Sequence, residues 1–152
     1  RKRPIRVHGR TVDSGTHAFF RKYALQQGEF SQQLQAHDSA QELITQISLD
    51  PAAIGFSGMG QDLDSVKTVA LARVGGSVFH QPTLDNVMSG KYPLARFLYI
   101  YLNPENENRS AFEFCRFVLS KRGQERVIEA GFLPLTSEMI LPALNQFRKK
   151  SS

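Results

Sequence analysis

Arg10, Ser14, Gly15 and Thr16 fall within the stretch "GRTVDSGTHAFF", an arginine four residues ahead of a Ser-Gly-Thr triplet. These residue types in this order suit recognition of an oxyanion. A helix N-terminus offers unpaired backbone N–H groups and the positive end of the helix dipole. Glycine lets a ligand approach the backbone closely, because no Cβ stands in the way. The two hydroxyls can each add a donor, and the arginine can supply a planar, bidentate charge. An ordinary Ser or Asp N-cap, with Arg10 on the surface, fits the same residues. Asp13 would oppose an anion unless it turns away. The triplet alone leaves both readings open.

Other residues that could carry chemistry have plainer explanations. "GFSGMG" is glycine-rich but lacks the lysine and the helix-entry spacing of a P-loop. It reads as a strand end and turn. Tyr92, Tyr99 and Tyr101 could stack nucleic-acid bases, yet alternating strand aromatics belong more often to a core. His8, His17, His37 and His80 have no metal-ligand spacing, so neither a metal nor another cofactor is expected. No histidine or aspartate is placed by sequence to activate Ser14, so no catalytic residue and no enzyme is expected. Cys115, the single cysteine, reads as a small buried apolar residue.

The elements that must position the triplet follow from hydrophobic spacing. "PIRVHG" alternates as a strand ending at Gly9, and Ala18, Phe19 and Tyr23 recur at helical spacing between Gly15 and Leu25. Asp13 or Ser14 caps that helix, and "GEF" closes it. A second helix starts near Asp38 or Ser39 and ends at Pro51. "AAIGFSGMG" is expected to be a short buried strand breaking into a turn, and "VKTVALA" another strand. "TLDNVMSGKYPLARFLYIYLN" begins as a short helix, turns at Ser89-Gly90 and ends in a β-rich run. Ala111, Phe114, Cys115, Val118 and Leu119 form a helical stripe that Gly123 breaks. A further helix carries Val127 and Ile128, "GFLPL" forms a loop, and an amphipathic helix covers residues 138–147. Strands alternating with helices predict an α/β fold.

Composition sets the outer bounds. At 152 residues, 41% hydrophobic and 22% charged, the chain can bury a core and is not expected to be disordered except at its ends. Nineteen Lys and Arg against 14 Asp and Glu give a net charge of +5. Part of that excess sits in the terminal runs "RKRPIR" and "FRKKSS", which read as solvated ends, so nucleic acid is not an expected partner. The opening on charge, followed at once by a strand, reads as a cut through a longer protein or a processed product.

Five segments, in order and at their spacing, carry a specific resemblance: "KRPIRVHGRTVDSGTHAFF", "PAAIGFSGMG", "VKTVALA", "PTLDNVMSGKYPLARFLYIYLN" and "FCRFVLSKRGQERVIEAGFLPL". Over residues 3–135 the chain resembles the C-terminal half of the phosphate-binding proteins of ABC transporters, a periplasmic solute-binding family. The resemblance implies an α/β solute-binding fold of type II, two lobes clamping a ligand. Residues 3–89 would form most of the second lobe, and residues 91–152 the crossing strand and the C-terminal part of the first lobe. It implies inorganic phosphate as ligand, with Arg10 as the charged clamp and Ser14, Gly15 and Thr16 as hydroxyl and backbone donors. Val12 and Asp13 replace the commoner small and polar residues of the motif. In the family, the carboxylate that takes the phosphate proton comes from the N-terminal half; here Asp13 is the only acid beside the motif. The implied partners are the N-terminal half of the fold, or a second copy of the chain, and an ABC permease. The implied location is the periplasm or the cell surface. The alternative is a sensory or partner-binding domain that keeps the fold without transport.

Overall fold

A computed structural model of the chain describes residues 3–59, 64–103 and 109–148. The chain divides into two compact units, residues 1–96 and 97–152. Gly60 of the glycine-rich turn, and the outer residues of both basic ends, lie outside the described residues.

Among the described residues the first unit is built on a three-stranded parallel sheet. Its strands are β1 (Arg6–Arg10), β2 (Gln35–His37) and β3 (Ala53–Gly55), in the order β2-β1-β3. Parallel neighbours need a crossover between them. Helix α1 (Gly15–Tyr23) supplies the first, from β1 to β2, and α2 (Ala40–Ser48) the second, from β2 to β3. β1 is therefore central, and the chain leaves it to one side and returns on the other. Ligands of open α/β sheets bind at such a reversal, beyond the carboxyl ends of the strands. The head of α1 lies there.

The core of this unit rests on α2. Leu43 and Ile44 are its buried residues, and the helix packs against all three strands. Gly55 makes this close approach possible. A Cβ on Gly55 would stand 2.7 Å from the Ile47 Cδ1 and 2.9 Å from the His8 carbonyl oxygen. A Cβ on Gly9 would stand 2.7 Å from the Phe56 ring. Phe56 stacks in turn on Phe20 with centroids 4.0 Å apart, and Phe30 joins the cluster at 5.6 Å from Phe56. Aromatic burial thus fixes α1 over the β1–β3 side of the sheet.

Several expectations need correction. β3 is short but not buried, since Ile54 is 48% exposed. "VKTVALA" forms no strand; only an isolated antiparallel bridge links Leu71 to His80. The β-rich run also forms no strand among the described residues, because extended backbone becomes a strand only when a neighbour takes its hydrogen bonds. Its side chains keep strand alternation: Phe97 and Tyr99, then Tyr99 and Tyr101, lie 6.3 and 6.4 Å apart. All residues from Phe97 to Tyr101 are exposed, so these aromatics are not core. The short helix is α3 (Leu84–Met88), and Gly90 makes the expected turn with φ 68°.

Among the described residues the second unit holds three helices, α4 (Arg109–Val118), α5 (Lys121–Glu129) and α6 (Ser137–Arg148). Cys115 is buried on α4, as expected, whereas Phe114 is 58% exposed and leaves the stripe. Phe112, partly buried, shares the inner face with Cys115 one turn on. Gly123 does not break a helix. It lies inside α5, whose N-cap is Ser120, and α4 ends before that cap. The buried Gln124 binds α5 to its surroundings at both ends of its amide. Its Nε2 donates to the Val118 carbonyl at 2.8 Å, and its Oε1 accepts from the Leu135 N–H at 2.7 Å.

Candidate anion site at the head of α1

Residues 11–14 turn the chain from β1 into α1, closed by the Ser14 N–H donating to the Thr11 carbonyl at 2.9 Å. Ser14 is the N-cap, in extended backbone, and its Oγ accepts from the Thr16 N–H at 3.2 Å. This settles the choice between Asp13 and Ser14. The N–H groups of Gly15 and His17 have no acceptor among the described residues, so the first turn keeps donors for a ligand. Its first turn holds no acid, and Asp13, just ahead of it, is exposed. Ser14, Gly15 and Thr16 are thus brought together on one helix end.

Arg10 is held separately, at the carboxyl end of β1. Its Nε donates to the His37 carbonyl at 3.2 Å and its Nη2 to the Asp38 carbonyl at 2.6 Å. These bonds fix the guanidinium plane at the β2–α2 junction and leave Nη1 without an acceptor among the described residues. The link from Arg10 to α1 runs through its backbone, whose carbonyl oxygen lies 2.8 Å from His17 Nδ1. His17 therefore orients the strand-to-helix turn, packed 4.2 Å from Phe30, and is not an idle surface residue.

Two features of the neighbourhood escape sequence spacing. One is Arg96, whose Nη1 donates to the Gly15 carbonyl at 3.0 Å from 81 residues away. The second is a buried imidazole pair beneath Arg10. His8 Nδ1 and His37 Nε2 lie 2.9 Å apart with the rings nearly parallel. His37 Nδ1 lies 3.3 Å from a Glu42 carboxylate oxygen, within ion-pair reach but without hydrogen-bond geometry. Burial, and then the neighbouring His37, push the His8 imidazole below its ordinary value; Asp50 opposes this and Arg6 adds to it. Arg6 also pairs with Asp50, and that hydrogen bond, with a second from the Ala52 N–H, holds the Asp50 carboxyl at about 2.

The His8 shift has a definite sign. A histidine whose folded value is depressed binds fewer protons folded than unfolded, so stability falls as pH drops below about 6.5 and levels off below the folded value. Denaturant unfolding at pH 7.5 and 5.5 should show wild-type losing stability over that interval and His8→Gln losing less. An identical pH dependence in the two proteins would mean that burial of His8 is not felt.

Known proteins place these elements in a family. The PBP superfamily domain matches residues 1–122. The phosphate-binding protein PstS of Pseudomonas aeruginosa is 36% identical over 148 residues, covering 95% of this chain and 46% of that protein. The protein SphX of Synechococcus elongatus is 29% identical, covering 98% of this chain and 45% of the relative. The chain thus spans about half the length of these curated relatives. Among solved structures, a possible phosphate binding protein from Planctomyces limnophilus superposes with TM-score 0.82 at 23% identity, over all of this chain and 56% of that one. A phosphate-binding protein of a phosphate ABC transporter from Streptococcus pneumoniae gives 0.66 at 21%, over 88% of this chain and 52% of the other. At these identities the likeness establishes the fold, an α/β solute-binding architecture. The chain belongs to the PBP superfamily domain family.

Proposed function

We propose that this chain binds inorganic phosphate at the head of α1, as half of the solute-binding component of a phosphate ABC uptake system. The observation that carries the reading is the first turn of α1. It presents Gly15 and His17 N–H groups that have no acceptor among the described residues, behind the Ser14 N-cap, and it follows a strand whose Arg10 guanidinium is already fixed by two carbonyls. Arg10, Ser14, Gly15 and Thr16 are the proposed ligands. An oxyanion there is favoured by the helix dipole and by charge-assisted bonds. The carboxylate that accepts the phosphate proton, the feature that tells phosphate from sulfate, is proposed to come from the N-terminal half of the fold, Asp13 being exposed. Residues 3–89 belong to the lobe carrying this site, and residues 91–152 to the crossing strand and the other lobe.

The exposed run from Phe97 to Tyr101, which has no strand partner among the described residues, is the proposed edge for the N-terminal half of the family fold, the half that these relatives have beyond this chain. Closure of the two lobes on phosphate and delivery to a membrane permease, at the periplasmic or outer cell face, complete the reading. No helix among the described residues is long and apolar enough to cross a membrane.

The test is a titration of inorganic phosphate followed by the backbone amide signals of Gly15, Thr16 and His17. Shifts confined to these residues are expected at weak affinity for the chain alone. Affinity should tighten by about two orders of magnitude when the N-terminal half of a relative is added, because the anion then gains a second set of donors. Sulfate should bind less well than phosphate. Absence of any phosphate-dependent shift at the head of α1, alone or in the mixture, would remove this assignment.

A further inference from the structure

Arg96 stands where electrostatics would not place it. The positive end of a helix dipole disfavours a neighbouring cation. Even so, the Arg96 guanidinium lies over the first turn of α1, with Nη1 on the Gly15 carbonyl at 3.0 Å and Cζ 5.1 Å from the Phe19 ring centroid. Gly15 and Phe19 are four apart and share one helix face, so the planar group spans a full turn. A Cβ on Gly15 would stand 3.3 Å from Nη2 and 3.7 Å from Nη1. The space that glycine leaves open is thus bordered by this arginine. The helix dipole, the Gly15 and His17 N–H groups that have no acceptor among the described residues, and Arg96 all put positive charge on one turn, which favours an anion there.

We infer that Arg96 is a second cation of the anion site, positioned by Gly15 and Phe19 to add charge to the phosphate held at the head of α1. This rests on the phosphate reading given above. Its Nη2 has no acceptor among the described residues and is the atom that would face the ligand. Phe19 fixes the plane by cation–π contact, which a flexible ammonium would use less well.

Inorganic phosphate titrated into the full chain, read at the Gly15 and Thr16 amides, separates the possibilities. Arg96→Gln should weaken binding about tenfold, and Arg96→Lys, which keeps the charge, about threefold. The dependence of affinity on ionic strength should be shallower in Arg96→Gln than in wild-type and nearly unchanged in Arg96→Lys. Equal affinities for wild-type and Arg96→Gln would overturn the inference. So would equal weakening in both variants with an unchanged salt dependence, since that would make Arg96 only a packing partner of Phe19. A wild-type chain without phosphate shifts at these amides would overturn the phosphate reading itself, and this inference with it.

Discussion

Gly123→Ala is expected to destabilise the C-terminal helices by about 3 kcal/mol, although alanine is the better helix former by about 1 kcal/mol. Intrinsic propensity and packing point in opposite directions here, and the geometry decides between them. A Cβ on Gly123 would stand 2.0 Å from the Phe117 carbonyl oxygen and 2.7 Å from that of Val118. Both obstacles are backbone, so no rotamer change relieves them. The Phe117 carbonyl already accepts the Ser120 hydroxyl and N–H, and that of Val118 accepts from Gln124. Displacing them breaks the α5 cap and opens buried Gln124. Cys115, the single thiol, is 6% exposed and reports the result directly. Under native conditions a thiol reagent should modify Gly123→Ala far faster than wild-type, while Glu125→Ala, on the exposed face, should behave as wild-type. Slow modification of Gly123→Ala, or a gain in its stability, would show that α5 does not press on the end of α4.

How far the sequence reveals this molecule depends on how local each feature is. β1, α1 and α2 are legible because their signals lie inside the element: alternation in "PIRVHG", and serine caps at Ser14 and Ser39. "VKTVALA" and "LYIYL" have the composition of strands but lack partners in the described residues, and pairing is a property of the neighbour as much as of the segment. Phe114 leaves the expected stripe for a reason of phase: Phe112 and Phe114 are two apart, and only one can face inward with Cys115. Gly123 misleads for a related reason, since glycine can mark a close approach as well as a helix end. At the site, the arginine, the cap and the glycine were visible as one run of residues. Arg96 and the His8–His37 pair were not, because their contacts span 81 and 29 residues. An arginine inside the otherwise apolar run "YPLARFLYIY" was the one signal available for the former.

Arg10→Ala should remove most of the affinity for phosphate. When the chain is combined with the N-terminal half of a relative, the expected loss is on the order of 2–5 kcal/mol, the range for truncating one partner of a desolvated charge pair. The magnitude follows from how the guanidinium is held. Arg10 is already fixed by the His37 and Asp38 carbonyls, so binding an anion through the remaining N–H groups orders no further side chain. The same bonds explain why lysine should be a poor substitute: a point charge cannot hold two carbonyls and a phosphate in one plane. Arg10→Lys is therefore expected to recover little of the loss. Arg21→Ala is the control, because Arg21 is a surface residue paired with Glu29 on the far end of α1. Calorimetric titration of phosphate into the three variants decides the matter. If Arg10→Ala and Arg21→Ala bind equally well, the anion does not use the carboxyl end of β1, and the clamp must be sought elsewhere around the head of α1.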